Sequence, residues 1–206
     1  MALFTEDRLK NRVRNQIVKG FTGSINENVQ NKAKTILNES DKQQRLLFSN
    51  KAHQYDIFLS HSSTDAEIVA GLKLEIEDLG LSVYVDWIDD PLLNRGNVSK
   101  ETALILQERM KQCKSLVYAF SENASNSKWM PWELGYFDAL KGTVAILPIS
   151  RNSKTSFQGS EYLGIYYYIQ IDTISGGNKT ALWVYETSTK YVIFDSWLTG
   201  TKPIQR

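Results

Sequence analysis

Residues 55–87 read YDIFLSHSSTDAEIVAGLKLEIEDLGLSVYVDW, and the fold class follows from how this stretch changes its period. YDIFLS (55–60) is a short run of apolar and aromatic residues, as a strand requires. Over 65–79 the apolar residues switch to helical spacing, with Ile68, Leu72, Ile76 and Leu79 on one face. Gly80 then supplies the residue best suited to the left-handed backbone at a helix end. LSVYVDW (81–87) is a second strand. Strand, helix and strand in succession make a parallel βαβ unit with a right-handed crossover.

The same alternation continues towards the C-terminus. A polar loop over 89–98, containing Asp90-Pro91 and Arg95-Gly96, leads to a helix over 99–113 with Ala103, Leu106 and Met110 facing inward. SLVYAF (115–120), TVAILPI (143–149) and GIYYYIQI (164–171) are the third, fourth and fifth strands. Their runs are apolar throughout, as expected where both faces of a sheet are covered. Beyond Asp172, LWVYET and YVIFD flank Ser188 and Thr189 as a hairpin, and DSWL (195–198) starts a short closing helix.

Residues 1–50 show no convincing strand. Leu9, Val13, Ile17 and Phe21, then Ile25, Val29, Ala33 and Ile36, recur at helical spacing, which predicts two helices. Ser24 with Glu27 and Ser40 with Gln43 form capping-box patterns. Each apolar stripe is too narrow for a core helix and needs a partner surface, either the following domain or another copy of the chain. The expectation is an α/β protein with a flavodoxin-like five-stranded parallel sheet over 51–206, ending in a hairpin, and an N-terminal helical extension over 1–50.

Composition narrows the function. The 206 residues carry a net charge of +1, without the basic excess of a general nucleic-acid binder. Residues 1–50 hold nine Lys and Arg against five Asp and Glu, so the N-terminal part is mildly basic and the remainder mildly acidic. The single cysteine, Cys113, forbids an intramolecular disulfide and suits a reducing compartment. The two histidines, His53 and His61, and the lack of a Cys cluster give no zinc-ligand spacing. No apolar run approaches the roughly 20 residues of a membrane helix, and the charged N-terminus does not resemble a signal peptide. The expectation is a cytoplasmic protein with no metal, no nucleic-acid partner and no membrane partner.

In an open parallel sheet, ligands bind beyond the carboxyl ends of the strands where strand order reverses. With order 2-1-3-4-5 that point lies between the first and third strands, whose exits are SHSSTD (60–65) and SENASNSKW (121–129). Neither a GxxxxGK[ST] nor a GxGxxG loop is present, and no GxSxG elbow. A phosphate-acceptor receiver domain needs an acidic pair after its first strand, where this chain has Ser60-His61. His61 reads as a loop histidine bonded to backbone, and Asp65 as a helix cap.

The second of these loops runs into SNSKWMPWELGYFDAL (125–140), which sets Trp129 and Trp132 immediately before Glu133. Pro131 suits the first helical position, which puts Glu133 in the first turn, where the helix dipole favours a carboxylate. Taken alone, Glu133 complements that dipole and the tryptophans are core.

These boxes together resemble a bacterial TIR domain. YDIFLSHSSTDA resembles the family's opening box, the 89–98 loop sits where its BB loop sits, SKWMPWELGYFDAL resembles the Ser-x-Trp-x-x-x-Glu-Leu box of the NAD-cleaving branch, and FDSWL is similar to its closing box. The resemblance implies Glu133 as the catalytic residue for cleaving NAD+. It implies Trp129 and Trp132 beside the substrate, with Ser60, His61 and Ser62 lining the pocket. It also implies self-association through a BB loop, here Asp90, Pro91, Arg95 and Gly96, and a downstream effector that senses the nucleotide product in anti-phage defence. The Arg-Asp-x-x-Pro-Gly form of animal adaptors is absent. NAD+ enters as substrate, with no further cofactor. The alternative is a non-catalytic TIR interaction module.

Overall fold

The computed structural model describes residues 4–20, 54–90, 99–152, 157, 161–174 and 179–206. Five parallel strands form its centre: β2 (Tyr55–Ser60), β3 (Val83–Tyr84), β4 (Cys113–Phe120), β5 (Val144–Ser150) and β6 (Tyr167–Thr173). They lie in the order β3-β2-β4-β5-β6, which is the 2-1-3-4-5 order expected for these strands. The hairpin of β7 (Thr180–Thr187) and β8 (Lys190–Ile193) adds antiparallel to β6, and β9 (Ile204–Gln205) extends it.

Side chains alternate across the sheet, so each strand feeds two apolar layers. Ile57, Leu59, Val117, Ala119, Ala145 and Leu147 pack with helix α2 (Ala66–Glu77) on one face. Phe58, Leu116, Tyr118, Val144 and Ile146 pack on the other with α4 (Lys100–Lys111) and α5 (Trp129–Lys141). Ser60 follows Phe58 and Leu59, so alternation turns it to the face that carries α5. Gly142 ends α5 with φ 67°, its amide donating to the Asp138 carbonyl.

The N-terminal segment departs from the expected helical pair. Phe4 and Thr5 form a strand, β1, parallel to the end of β5, with Phe4 opposite Ile149 and Thr5 opposite Ser150. Two residues are too few to show a period, and their pairing depends on a strand that is remote in sequence. Helix α1 (Glu6–Gly20) follows, with Leu9 and Val13 buried in the same cluster as α2. At the crossing a Cβ on Gly71 would lie 2.2 Å from the Leu9 carbonyl oxygen. Arg8 pairs with Glu75, Arg12 with Asp78 and Arg14 with Glu67, so basic α1 faces an acidic side of α2. The partner surface of α1 is therefore the domain itself. The expected second helix and both capping boxes lie outside the described residues.

Two other boundaries move. β3 keeps only Val83 and Tyr84 of the expected 81–87 strand, because residues 86–89 turn into a short helix, α3 (Asp86–Asp89). The Val85 amide donates to the Asp89 carboxylate and the Trp87 amide to Asp86, local bonds that compete with the ladder. β6 starts at Tyr167 after a helical turn, Glu161–Ile165. The expected closing helix is present as α6 (Phe194–Leu198), and it buries Phe194 and Trp197.

Candidate active site

The loops that leave β2 and β4 meet at the point where strand order reverses. α5 rises from the second of them, and Ser127 accepts the Met130 amide at its start. The helix begins at Trp129, two residues before Pro131. Glu133 is consequently the fifth residue, past the first turn, and it is not the exposed carboxylate that a first-turn position implied. Its residue is 0% exposed, and its Oε2 accepts a 2.6 Å hydrogen bond from Ser60 Oγ. A buried carboxylate bound by a neutral hydroxyl carries a desolvation cost that dipole complementation alone would not justify.

Tyr118 completes this corner. It is the ladder partner of Ser60 in the adjacent strand, and its phenol pKa is pushed up to about 12, by burial first and then by Tyr162 and the Glu133 charge. No motif singles out Tyr118. Counting the parallel register from Ser60 would have found it, since partners at the ends of adjacent strands face the same way.

The two tryptophans are brought to the same place. Trp129 and Glu133 are four residues apart and share a helical face. The Trp129 and Trp132 rings meet edge to face at 5.4 Å, and Trp132 stacks on Tyr136 at 5.8 Å. Both tryptophans are half-buried against the α4–α5 core. Trp129 sits one turn before the carboxylate on its own helical line and Trp132 immediately precedes it, so both rings lie beside it.

The loop after β2 divides. Ser60 turns to Glu133, whereas His61 points through the other face: its Nδ1 is 2.8 Å from the Leu59 carbonyl and its Nε2 3.4 Å from Asp86 Oδ1. Because a carbonyl only accepts, Nδ1 is the protonated ring nitrogen in that contact. The Ser62 hydroxyl lies 2.9 Å from that of Thr64. Asp65 does not cap α2. Its side chain makes no cap bond and instead accepts from Ser121 Oγ at 2.5 Å and from Asn123 Nδ2 at 2.6 Å.

At the foot of the 89–98 loop, Asp90 is gripped by Arg109, with Nε and Nη2 each 2.7 Å from its carboxylate oxygens, and by the Tyr84 hydroxyl. This hydrogen bonding raises the guanidinium pKa further above its ordinary value. Pro91, Arg95 and Gly96 lie outside the described residues. Among the described residues no group of three or more His, Cys, Asp and Glu is placed to hold a metal ion, and no helix is long and apolar enough to cross a membrane.

Known proteins resemble this chain along much of its length. A family model described as TIR domain matches residues 57–179. The chain is 49% identical over 199 residues to a protein of Bacillus cereus (strain MSX-D12) named "Probable 3' cyclic ADP-D-ribose synthase ThsB'", covering 96% of this chain and 98% of that relative. It is 30% identical over 113 residues to one of Methanobrevibacter olleyae named "Probable 2' cyclic ADP-D-ribose synthase TcpO", covering 52% of this chain and 31% of that relative.

Proposed function

This chain belongs to the TIR domain family, and from that premise we propose that it cleaves the nicotinamide–ribose bond of NAD+ and closes the remainder into a cyclic ADP-ribose isomer. The observation that carries the reading is similarity at 49% identity along nearly the whole of both chains to a relative named for that synthesis.

The buried carboxylate suits such chemistry. A glycosidase acting on an oxygen leaving group needs one carboxyl to protonate it and a second to stabilise the cation-like centre. The nicotinamide of NAD+ is already cationic, so when the C–N bond breaks its electron pair neutralises the ring and the base leaves without a proton. One acid therefore suffices. We assign it to Glu133, whose negative charge, held in a dry corner and oriented by Ser60, stabilises positive charge as it develops on the anomeric carbon. Trp129 and Trp132 hold the nicotinamide or the adenine by stacking and cation–π contact. Attack by a hydroxyl of the same molecule forms the new C–O bond and releases one proton, which Glu133 accepts. Attack by water gives ADP-ribose instead.

Because Glu133 is fully covered in this structure, NAD+ must displace part of its cover on entering. Ser62 and His61 then act in shaping the loop, and His61 supports the Ser60 backbone from the far face. The remaining elements of the proposal rest on the family resemblance: self-association through the 89–98 loop, a cytoplasmic setting in anti-phage signalling, and an effector that senses the product. The 3′ linkage in the name of the relative matched over 98% of its length supports that isomer here.

Incubating the purified protein with NAD+ over a range of protein concentrations tests the reading. Nicotinamide should appear together with a nucleotide lighter than ADP-ribose by one water. Intact NAD+ at every concentration would refute the proposal, and ADP-ribose alone would reduce it to a hydrolase.

A further inference from the structure

Asp65 is an aspartate whose side chain is not used for the purpose its position suggests. It occupies the N-cap position of α2, where capping would explain it, yet no cap bond is made. The carboxylate is buried and reaches out of its own loop to the loop that follows β4. One oxygen takes the Ser121 hydroxyl and the other the Asn123 side-chain amide. Ser121 in turn accepts the Asn123 backbone amide at 3.2 Å. Both donors are neutral, so the burial of this charge is compensated by hydrogen bonds alone, a costly arrangement to keep for a surface turn.

Its position gives the arrangement a use. Ser60 ends β2 five residues before Asp65. Ser121 and Asn123 begin the segment that continues through the turn Ala124–Asn126 into α5, where Trp129 and Glu133 lie. The Asp65 carboxylate therefore fixes the start of the Glu133 segment against the loop that supplies Ser60. A bond as short as the 2.6 Å one between Ser60 and Glu133 tolerates little relative movement of the two loops.

We propose that Asp65, through Ser121 and Asn123, is a positioning residue for the reaction: it sets the distance between the loops after β2 and β4 and thereby the orientation of the Glu133 carboxylate. It touches no reacting atom. The inference deepens the proposed NAD+ cleavage and rests on it for its kinetic consequence, while the loop linkage stands independently of it.

Asn123 is the safer site for a test, since it is half-exposed and its loss removes one donor without opening the core. Asn123→Ala, Asp65→Ala and the double variant are compared for kcat and KM of nicotinamide release, for melting temperature, and for hydrogen exchange over residues 121–133. Misplacement of a catalytic group by less than an ångström costs about 10- to 100-fold. Asn123→Ala should therefore lower kcat about tenfold at unchanged KM, with a melting temperature lowered by only a few degrees and faster exchange over 121–133. The double variant should lose no more than Asp65→Ala, as expected for residues that act as one unit. Asp65→Asn should restore most of kcat, because its amide can donate to the Ser121 hydroxyl while its oxygen still accepts from Asn123. Wild-type kcat in Asn123→Ala overturns the proposal. If Asp65→Ala does not fold, Asn123→Ala decides alone. If the wild type cleaves no NAD+, the function fails separately, and unchanged exchange over 121–133 in Asn123→Ala would sink the positioning role as well.

Discussion

Gly71→Ala adds a single methyl group where α1 and α2 come closest. The new Cβ would lie 2.2 Å from the Leu9 carbonyl oxygen, 2.7 Å from its carbon and 3.0 Å from its Cα. All three atoms are backbone, so no rotamer change relieves the contact. Helix α1 would have to retreat by roughly 1 Å, and overpacking of this kind costs about 1–3 kcal/mol. Against that, alanine is favoured over glycine inside a helix by about 1 kcal/mol. The cost has a ceiling as well, since α1 can detach, losing the burial of Leu9 and Val13 at about 1.5–3 kcal/mol each. Because the contacts are with backbone, the clash lies towards the upper end of that range, and a net loss of about 1–2 kcal/mol follows, which for a chain of this size lowers the melting temperature by about 2–8 °C. Thermal unfolding followed by circular dichroism measures it. A Gly71→Ala protein that melts at or above the wild-type temperature would show that α1 does not dock on α2 at this position.

Lys73 is 1% exposed, and its ammonium donates to the Val83 carbonyl and pairs with Glu77 at 2.8 Å. Lys73→Met should therefore cost about 3–5 kcal/mol by removing the cation that faces a buried carboxylate, and a loss under about 1 kcal/mol in urea unfolding would contradict this. Asp56 titrates differently: burial pushes its carboxyl up, but Lys114 and the Ser82 amide and hydroxyl together hold it below its ordinary value. A carboxyl depressed in the folded state contributes stability above its unfolded pKa of about 4 and loses it as pH falls through the lower folded value. Asp56→Asn should thus be less stable than wild type at pH 7, by about 1 kcal/mol or less after solvent screening, and equal to it at the acid end of the stability curve. A difference that persists or grows at low pH would rule out the charge as its origin.

The central sheet was legible because β4 and β5 are apolar on both faces, so their runs stand out against any turn. β1 was not, since Phe4 and Thr5 become a strand only through the end of β5. The shortening of β3 was also hidden, because β propensity does not reveal that Asp86 and Asp89 bind the backbone amides of Trp87 and Val85. At the site, the Ser/Asn run and Pro131 pointed to the helix that carries Trp129, Trp132 and Glu133, while Glu133 as the acid came from the family resemblance of that box. The burial of that acid could not be read locally, as its donor Ser60 is 73 positions away. Asp65 shows the same limit: its place before a helix suggested a cap, whereas its partners Ser121 and Asn123 lie across the switch point.

Glu133→Gln separates the charge of the carboxylate from its shape. The substitution keeps the shape and leaves an oxygen to accept from Ser60, while removing a charge that is fully buried. Relief of that burial means the variant should melt at or above the wild-type temperature, and loss of the charge should abolish nicotinamide release from NAD+. A folded Glu133→Gln protein that releases nicotinamide at the wild-type rate would contradict the account.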